Sequence, residues 1–195
     1  MITSIMAFLV NMLPGIVPAV ILYFCLLPIR KKKLAARTMV SSRTREILLL
    51  LYIIFCGGLA VLTLTPRWFD LPSMLNGELT PFPPFFQWGN FNLELFSTLL
   101  PFPASKVVLL GNIVMFIPLG FAPSLLWEKM SFPKVMLVGF LSVLFIECWQ
   151  LLIGRTFDVD DFLLNLIGIA VGALICRILQ RLIPQLKQTC FVQSL

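Results

Sequence analysis

The stretch ECWQLLIGRTFDVDDFLLN, residues 147–165, ends one apolar run, Val135–Ile153, and leads into the next, Phe162–Gln180. Only 12% of the chain is charged, yet this stretch concentrates five charged side chains: Glu147, Arg155, Asp158, Asp160 and Asp161. Two long apolar runs joined by a short polar turn are typical of a transmembrane helical hairpin. The stretch therefore predicts a membrane protein with a polar site near one membrane surface.

The rest of the chain supports a membrane-embedded fold. Hydrophobic residues make up 59% of the sequence and the mean hydropathy is +0.97, well above the roughly 45–50% apolar content of soluble domains. Five runs reach the roughly 17–25 residues that a helix needs to cross a bilayer: Ile5–Ile29, Ile47–Thr65, Val107–Trp127, Val135–Ile153 and Phe162–Gln180. We predict an all-α polytopic bundle that forms one integral membrane domain over residues 1–195.

The basic residues predict how this bundle is oriented. Of the 15 lysines and arginines, all but Arg67, Lys106 and Arg155 fall on one side of a five-span arrangement, many of them in the loop after the first span. Basic loops remain in the cytoplasm. We therefore expect the N-terminus outside and the C-terminus in the cytoplasm, and we attribute the net charge of +6 to topology rather than to nucleic-acid binding.

The longest segment between spans, residues 66–106, is rich in proline and aromatic residues and is predicted to lie on the outer side. Aromatic side chains concentrate at membrane interfaces, so we expect this segment to cover the outer leaflet in part, with the aromatic residues Trp68, Phe69, Phe82, Phe85, Phe86, Trp88 and Phe91. Within it, residues 90–100 are expected to form a short surface helix. An apolar cap that binds nothing explains the composition equally well.

Three spans place polar side chains at one depth below the predicted outer surface. At 1.5 Å per residue, Asn112, Gln150, Glu147 and Asn165 would lie roughly 6–10 Å below it. Arg155 would lie in the turn above them, and Asp158 and Asp161 would begin the last span. We call this set the polar cluster: Asn112, Glu147, Gln150, Arg155, Asp158, Asp160, Asp161 and Asn165.

The charges of the polar cluster are unbalanced, with four carboxyl groups and one guanidinium. Such a group binds a cation or keeps a carboxyl protonated. A divalent cation is compatible with the oxygen ligands, but no cofactor is required. Capping of the last helix by Asp160 or Asp161 is the simpler explanation for one of these aspartates. For Glu147 the cost of burying a carboxyl at membrane depth favours function over packing.

The motif Asn112-x5-Pro118-x-Gly120, followed by Glu147-x2-Gln150 and then Arg155-x2-Asp158-x-Asp160-Asp161-x3-Asn165, resembles the VanZ-like membrane proteins. The resemblance covers a core of about residues 47–180. It implies a multi-pass protein of the bacterial cell membrane and an association with resistance to the lipoglycopeptide teicoplanin. It implies no particular biochemical activity.

Two functions remain open from the sequence, beside a scaffold that binds no ligand and whose polar cluster is fully self-paired. The first is binding, in which a polar site open to the outer leaflet engages membrane lipids, a lipid-linked cell-wall precursor or a lipoglycopeptide. The second is a membrane enzyme acting on a lipid phosphate or acyl group, with Glu147 as general base and Arg155 holding the anionic group. The chain contains no histidine, which excludes Ser-His triads and histidine-based phosphatases. The oligomeric state stays open.

Overall fold

The computed structural model describes residues 2–66, 69–77, 84–95 and 105–194. Five of its helices are long and apolar enough to cross a membrane, which confirms the predicted all-α polytopic bundle. Seven helices are described: α1 (Ile2–Ala35), α2 (Arg43–Leu64), α3 (Leu71–Leu75), α4 (Ser105–Leu126), α5 (Phe132–Leu152), α6 (Val159–Leu182) and α7 (Gln185–Cys190). The long helices begin a few residues before the predicted spans because polar first turns extend them beyond their apolar cores.

Four short strands among the described residues lie at the two ends of the bundle. At one end β1 (Met39–Val40) pairs antiparallel with β4 (Gln193–Ser194). At the other end β2 (Phe91–Asn92) runs parallel to β3 (Phe157–Asp158). We call the end that contains β2 and β3 the outer end, following the charge pattern, and the opposite one the inner end. Helices α2 and α5 finish at the outer end, whereas α4 and α6 start there.

The centre of the bundle is the crossing of α4 and α6, where small residues bring the two backbones together. A Cβ atom added at Gly168 would lie 2.3 Å from the carbonyl oxygen of Ile113, and one at Gly172 would lie 2.0 Å from that of Ile117. Close approach of this kind depends on small side chains. The small-residue face of α6 thus packs within the chain.

A hydrophobic core surrounds this crossing. Phe116 of α4, Val143 of α5 and Ile169 of α6 are almost fully buried and pack in one cluster, to which α2 contributes Leu59. Helix α1 lies outside this group and packs on α2 where Gly15 meets Gly57. Four helices therefore form the scaffold that positions polar residues at the outer end.

The predicted surface helix over residues 90–100 is wrong for its described part. Phe91 and Asn92 form a strand, and residues 93–95 are not helical. The amide of Phe157 donates to the carbonyl of Asn90 at 2.8 Å, so the backbone here pairs with β3 and cannot form helical hydrogen bonds. Residues 96–100 lie outside the described residues, as do Trp68 and Phe82.

Candidate functional site at the outer end

Helices α4 and α6 bring two members of the polar cluster into direct contact. The side-chain amide of Asn112 donates a short hydrogen bond to the carboxylate of Asp161. Asn165 lies one turn further along α6, on the same face as Asp161. Because Gly168 lets α6 approach α4 closely just below, the two helices hold Asn112 and Asp161 together.

The start of α6 links the carboxyl groups to one another. Asp158, rather than Asp160 or Asp161, is the N-cap, and its side chain accepts from the amide of Asp160 at 2.9 Å. The expected capping by Asp160 or Asp161 is therefore wrong, because the helix begins at Val159 and leaves both inside the first turn. The carboxylate of Glu147 accepts from the amide of Asp158 at 3.3 Å, which joins α5 to the same turn.

The outer segment, residues 84–95, covers this turn and adds a residue that the sequence did not indicate. The side-chain amide of Asn92 donates to Asp158 Oδ2 at 3.0 Å. Phe91 pairs with Phe157, and Gln87 forms an isolated parallel bridge with Ile153. No periodicity marks Asn92, because its role depends on the pairing of two short strands that lie far apart in the chain.

Part of the polar cluster is directed toward α2 instead. Gln150 Nε2 donates to the carbonyl of Thr63 at 3.2 Å, and Arg155 Nη1 donates to that of Leu62 at 3.0 Å. Gly154, whose φ of 75° lies in the left-handed region, forms the turn that positions Arg155. Trp149, which the sequence also did not single out, donates to the carbonyl of Leu64 at 2.9 Å. These donors satisfy carbonyls that the end of α2 leaves without helical partners.

The polar cluster is more deeply buried than its position near a surface suggests. Glu147 and Asp160 are each 2% exposed, Asn165 is 5% exposed and Gln150 7%. The other four members, Asn112, Arg155, Asp158 and Asp161, are half-buried. Arg155 lies close enough to Glu147 and Asp161 for its charge to act on both carboxyls.

One buried hydrogen-bond acceptor in this region lacks a donor. No described residue donates to the side-chain oxygen of Asn165, which is buried. Buried acceptors in folded proteins are nearly always paired, with protein groups, water or ligands. The combination of this oxygen with the excess of carboxyls makes the polar cluster suited to a hydrogen-bond donor or a positively charged group.

The covering segment presents its aromatic side chains outward. Phe86 is 66% exposed and Trp88 73%, and both Phe85 and Phe91 are also exposed. These exposed rings lie at one end of the bundle, and their position at the membrane interface stays a prediction. In the part of the chain that the structure describes, no three His, Cys, Asp or Glu side chains are grouped so as to hold a metal ion.

Fold and site together define a class, the multi-pass helical membrane protein with a buried acid–amide cluster beneath one end. The VanZ/LLP1 family model matches residues 49–180, more than half of the chain and the whole of the polar cluster. The chain therefore belongs to the VanZ/LLP1 family, as the sequence motif predicted. No curated protein and no solved structure matches it.

Proposed function

We propose that this protein binds a lipid-linked or amphiphilic ligand at the outer face of the bacterial cell membrane through the polar cluster. By this binding it would contribute to cell-envelope homeostasis or to resistance against glycopeptides and lipoglycopeptides such as teicoplanin. The observation that carries the proposal is the buried side-chain oxygen of Asn165, without a partner, beside the bonded pair of Asn112 and Asp161.

Charge supports this proposal. The polar cluster contains four carboxyl groups, those of Glu147, Asp158, Asp160 and Asp161, and one guanidinium, that of Arg155. A ligand that brings an amino group or other hydrogen-bond donors would compensate these carboxyls and satisfy Asn165.

The outer segment supplies a route for such a ligand. It is attached over the polar cluster through Asn92 and a few backbone hydrogen bonds, and its aromatic rings are exposed. A segment with few buried apolar contacts opens at low free-energy cost. An amphiphile partitioned in the interface could therefore reach the half-buried Asp158 and Asp161 when the segment lifts.

The experiment that tests the proposal compares teicoplanin tolerance of cells that express the intact protein, Glu147→Gln or Asp161→Asn. Both substitutions preserve side-chain shape and remove a charge, so we expect each to lower tolerance toward that of cells without the protein. Asp70→Asn is the matched control, because Asp70 lies at the outer end but hydrogen-bonds to Asn11 and Ser73. Unchanged tolerance in both cluster variants, at equal membrane levels, would refute the proposal.

A membrane enzyme acting on a lipid phosphate or acyl group is the second candidate. The presence of Arg155 and Glu147 in one cluster at the outer end favours it, because a guanidinium can hold a phosphate beside a general base. Purified protein incubated with undecaprenyl and phospholipid substrates, with and without Mg²⁺, should then show turnover that Glu147→Gln abolishes. The absence of turnover in every condition would leave binding as the function.

A further inference from the structure

A groove of about 440 Å³ lies between α2, α4 and α5, separate from the polar cluster. Its volume falls within the roughly 300–1,000 Å³ of small-molecule binding pockets. Ala60 and Leu64 of α2, Leu119 of α4 and Phe145 and Ile146 of α5 contribute to its walls. Since these helices cross the membrane, the groove lies at the depth of the lipid chains.

The lining of the groove presents no unsatisfied hydroxyl group that would require a polar ligand. It contains two hydroxyl groups, those of Thr63 and Ser142. Thr63 Oγ1 donates to the carbonyl of Leu59 at 2.8 Å, and Ser142 Oγ donates to that of Val138 at 2.8 Å. Both hydroxyls are thus satisfied within their own helices, and the remaining surface is hydrocarbon apart from the thiol of Cys56. The chemistry fits an alkyl chain.

The length of the groove along α5 is close to the thickness of one leaflet of a bilayer. Along α5 its lining extends from Val138 to Ile146, a rise of eight residue steps or about 12 Å of helix. Half of a hydrocarbon core of about 30 Å is about 15 Å. Ile146 directly precedes Glu147, so the upper end of the groove lies just below the polar cluster.

The upper end of the groove is also marked by contacts between α5 and α2. Trp149 donates to the carbonyl of Leu64, and its ring stacks on Phe145 with centroids 6.2 Å apart. Phe86 of the outer segment contacts the same indole edge to face at 6.3 Å. These rings form a continuous aromatic surface from the outer segment to the groove.

We infer that this groove holds one acyl chain of an outer-leaflet phospholipid whose headgroup lies at the polar cluster. The inference rests on the proposed function, since it assigns the hydrophobic part of the ligand whose polar part the cluster binds. The lipid enters between α2 and α5, where α5 exposes Leu141 and Phe145. Its chain then extends toward the middle of the bilayer along Ala60 and Leu119.

The test uses the full chain in nanodiscs of phosphatidylglycerol and phosphatidylethanolamine that contain phosphatidylethanolamine with a diazirine on one acyl chain. After irradiation, mass spectrometry of peptides locates the adducts. We expect adducts to concentrate on residues 56–64 and 138–146, with much weaker labelling of the exposed face of α1 around Val17 and Ile21. Labelling in proportion to exposure over all helices would show ordinary surrounding lipid and overturn the inference.

A variant whose groove is filled by a larger side chain should lose the adducts of the photoactivatable lipid. Ala60→Phe places a ring in the groove, whereas Leu51→Phe adds the same ring to the exposed, lipid-facing side of α2. We expect the first variant to lose groove labelling and the second to retain it. Equal labelling in the two folded variants contradicts the inference, and the map of the unmodified chain decides the matter if Ala60→Phe does not fold.

Two further comparisons separate this inference from the proposed function. If groove labelling is specific but Glu147→Gln leaves teicoplanin tolerance unchanged, the groove stands and the proposed function fails. If tolerance depends on Glu147 but labelling is uniform, only the groove assignment fails. If added teicoplanin is required before the groove residues differ from the rest, the occupant is the acyl tail of the drug, and a phospholipid chain is excluded.

Discussion

The two ends of this bundle carry opposite charge imbalances. At the inner end one carboxylate, Glu46, accepts from Arg30 at 2.6 Å and from the hydroxyl of Tyr23 at 2.8 Å, and it lies 3.6 Å from Arg45. At the outer end the polar cluster contains four carboxyl groups and one guanidinium, that of Arg155.

This difference in charge indicates at which end of the bundle a ligand should be sought. In the orientation expected from the charge pattern, the basic surplus of the inner end faces the anionic lipids of the cytoplasmic leaflet. The carboxyls of the outer end are instead gathered in the polar cluster, where Glu147 and Asp160 are each 2% exposed. The inner network is therefore expected to act mainly on stability, and the polar cluster mainly on function.

The largest effect on stability is expected at the crossing of α4 and α6, on which both ends of the bundle depend. Gly168→Ala would place a methyl group 2.3 Å from the carbonyl oxygen of Ile113 and push α6 away from α4. Overpacking of this kind costs about 3 kcal/mol, and it should also separate Asn112 from Asp161. Unfolding by denaturant in detergent measures the change in free energy.

Gly111→Ala is the matched control, because a Cβ atom at Gly111 meets nothing within 4 Å. It should leave stability unchanged or raise it by about 1 kcal/mol, through the better helix propensity of alanine. Equal losses in the two variants would show that the α4–α6 crossing tolerates more space than its geometry indicates.

The next largest effect on stability is expected at the inner network, which consists of the contacts of Glu46 with Arg30, Tyr23 and Arg45. Glu46→Gln removes the charge that compensates Arg30 and Arg45, of which Arg45 is only 5% exposed. Loss of one partner of a buried pair costs about 3–5 kcal/mol, and the partial exposure of Glu46 reduces this to about 2 kcal/mol. The same unfolding experiment applies, with the exposed Glu128→Gln as control. A loss of teicoplanin tolerance at full stability would contradict the division between the two ends.

A smaller, local effect is expected where the outer segment is attached. Asn92→Ala removes a hydrogen bond to the Asp158 carboxylate, a contact worth about 1.5–3 kcal/mol for a charged partner. The amide of Phe157, which donates to Asn90, should then exchange faster in hydrogen–deuterium exchange. Asn90→Ala keeps the accepting carbonyl and should exchange normally. Unchanged exchange in Asn92→Ala would mean that backbone pairing alone holds the segment.

The smallest effect concerns an outer carboxyl outside the polar cluster. Hydrogen bonds from Asn11 and Ser73 hold the pKa of Asp70 below its ordinary value. Because the folded pKa is the lower one, the stabilisation is present above the unfolded value of about 3.9 and is lost as the pH falls through the folded pKa. Asp70 is exposed enough for this to stay below about 1 kcal/mol.

Exchange of the Leu71 amide, which donates to Asn11 Oδ1 at 2.7 Å, reports on this contact. It should accelerate as the pH is lowered from 5 toward 3 (about one unit either side of the ordinary aspartate pKa), beyond the intrinsic change in exchange rate. Asp70→Asn should remove that acceleration. An identical pH profile in the variant and the parent would show that α3 does not depend on the Asp70 charge.

Sequence alone determined the number and type of the membrane helices, because a bilayer demands a minimum apolar length that any span must meet. It also located the polar cluster along the chain, since charged residues are rare at membrane depth and their spacing on a helix fixes the face they share. Tertiary structure decided which of these side chains meet. Asn112 bonds to Asp161, Gln150 and Arg155 turn to the carbonyls of α2, and Asn92 arrives from a segment expected to be helical. Helical periodicity gives a direction around one axis, whereas the partner depends on how two axes cross, and here the crossing is set by glycines such as Gly168.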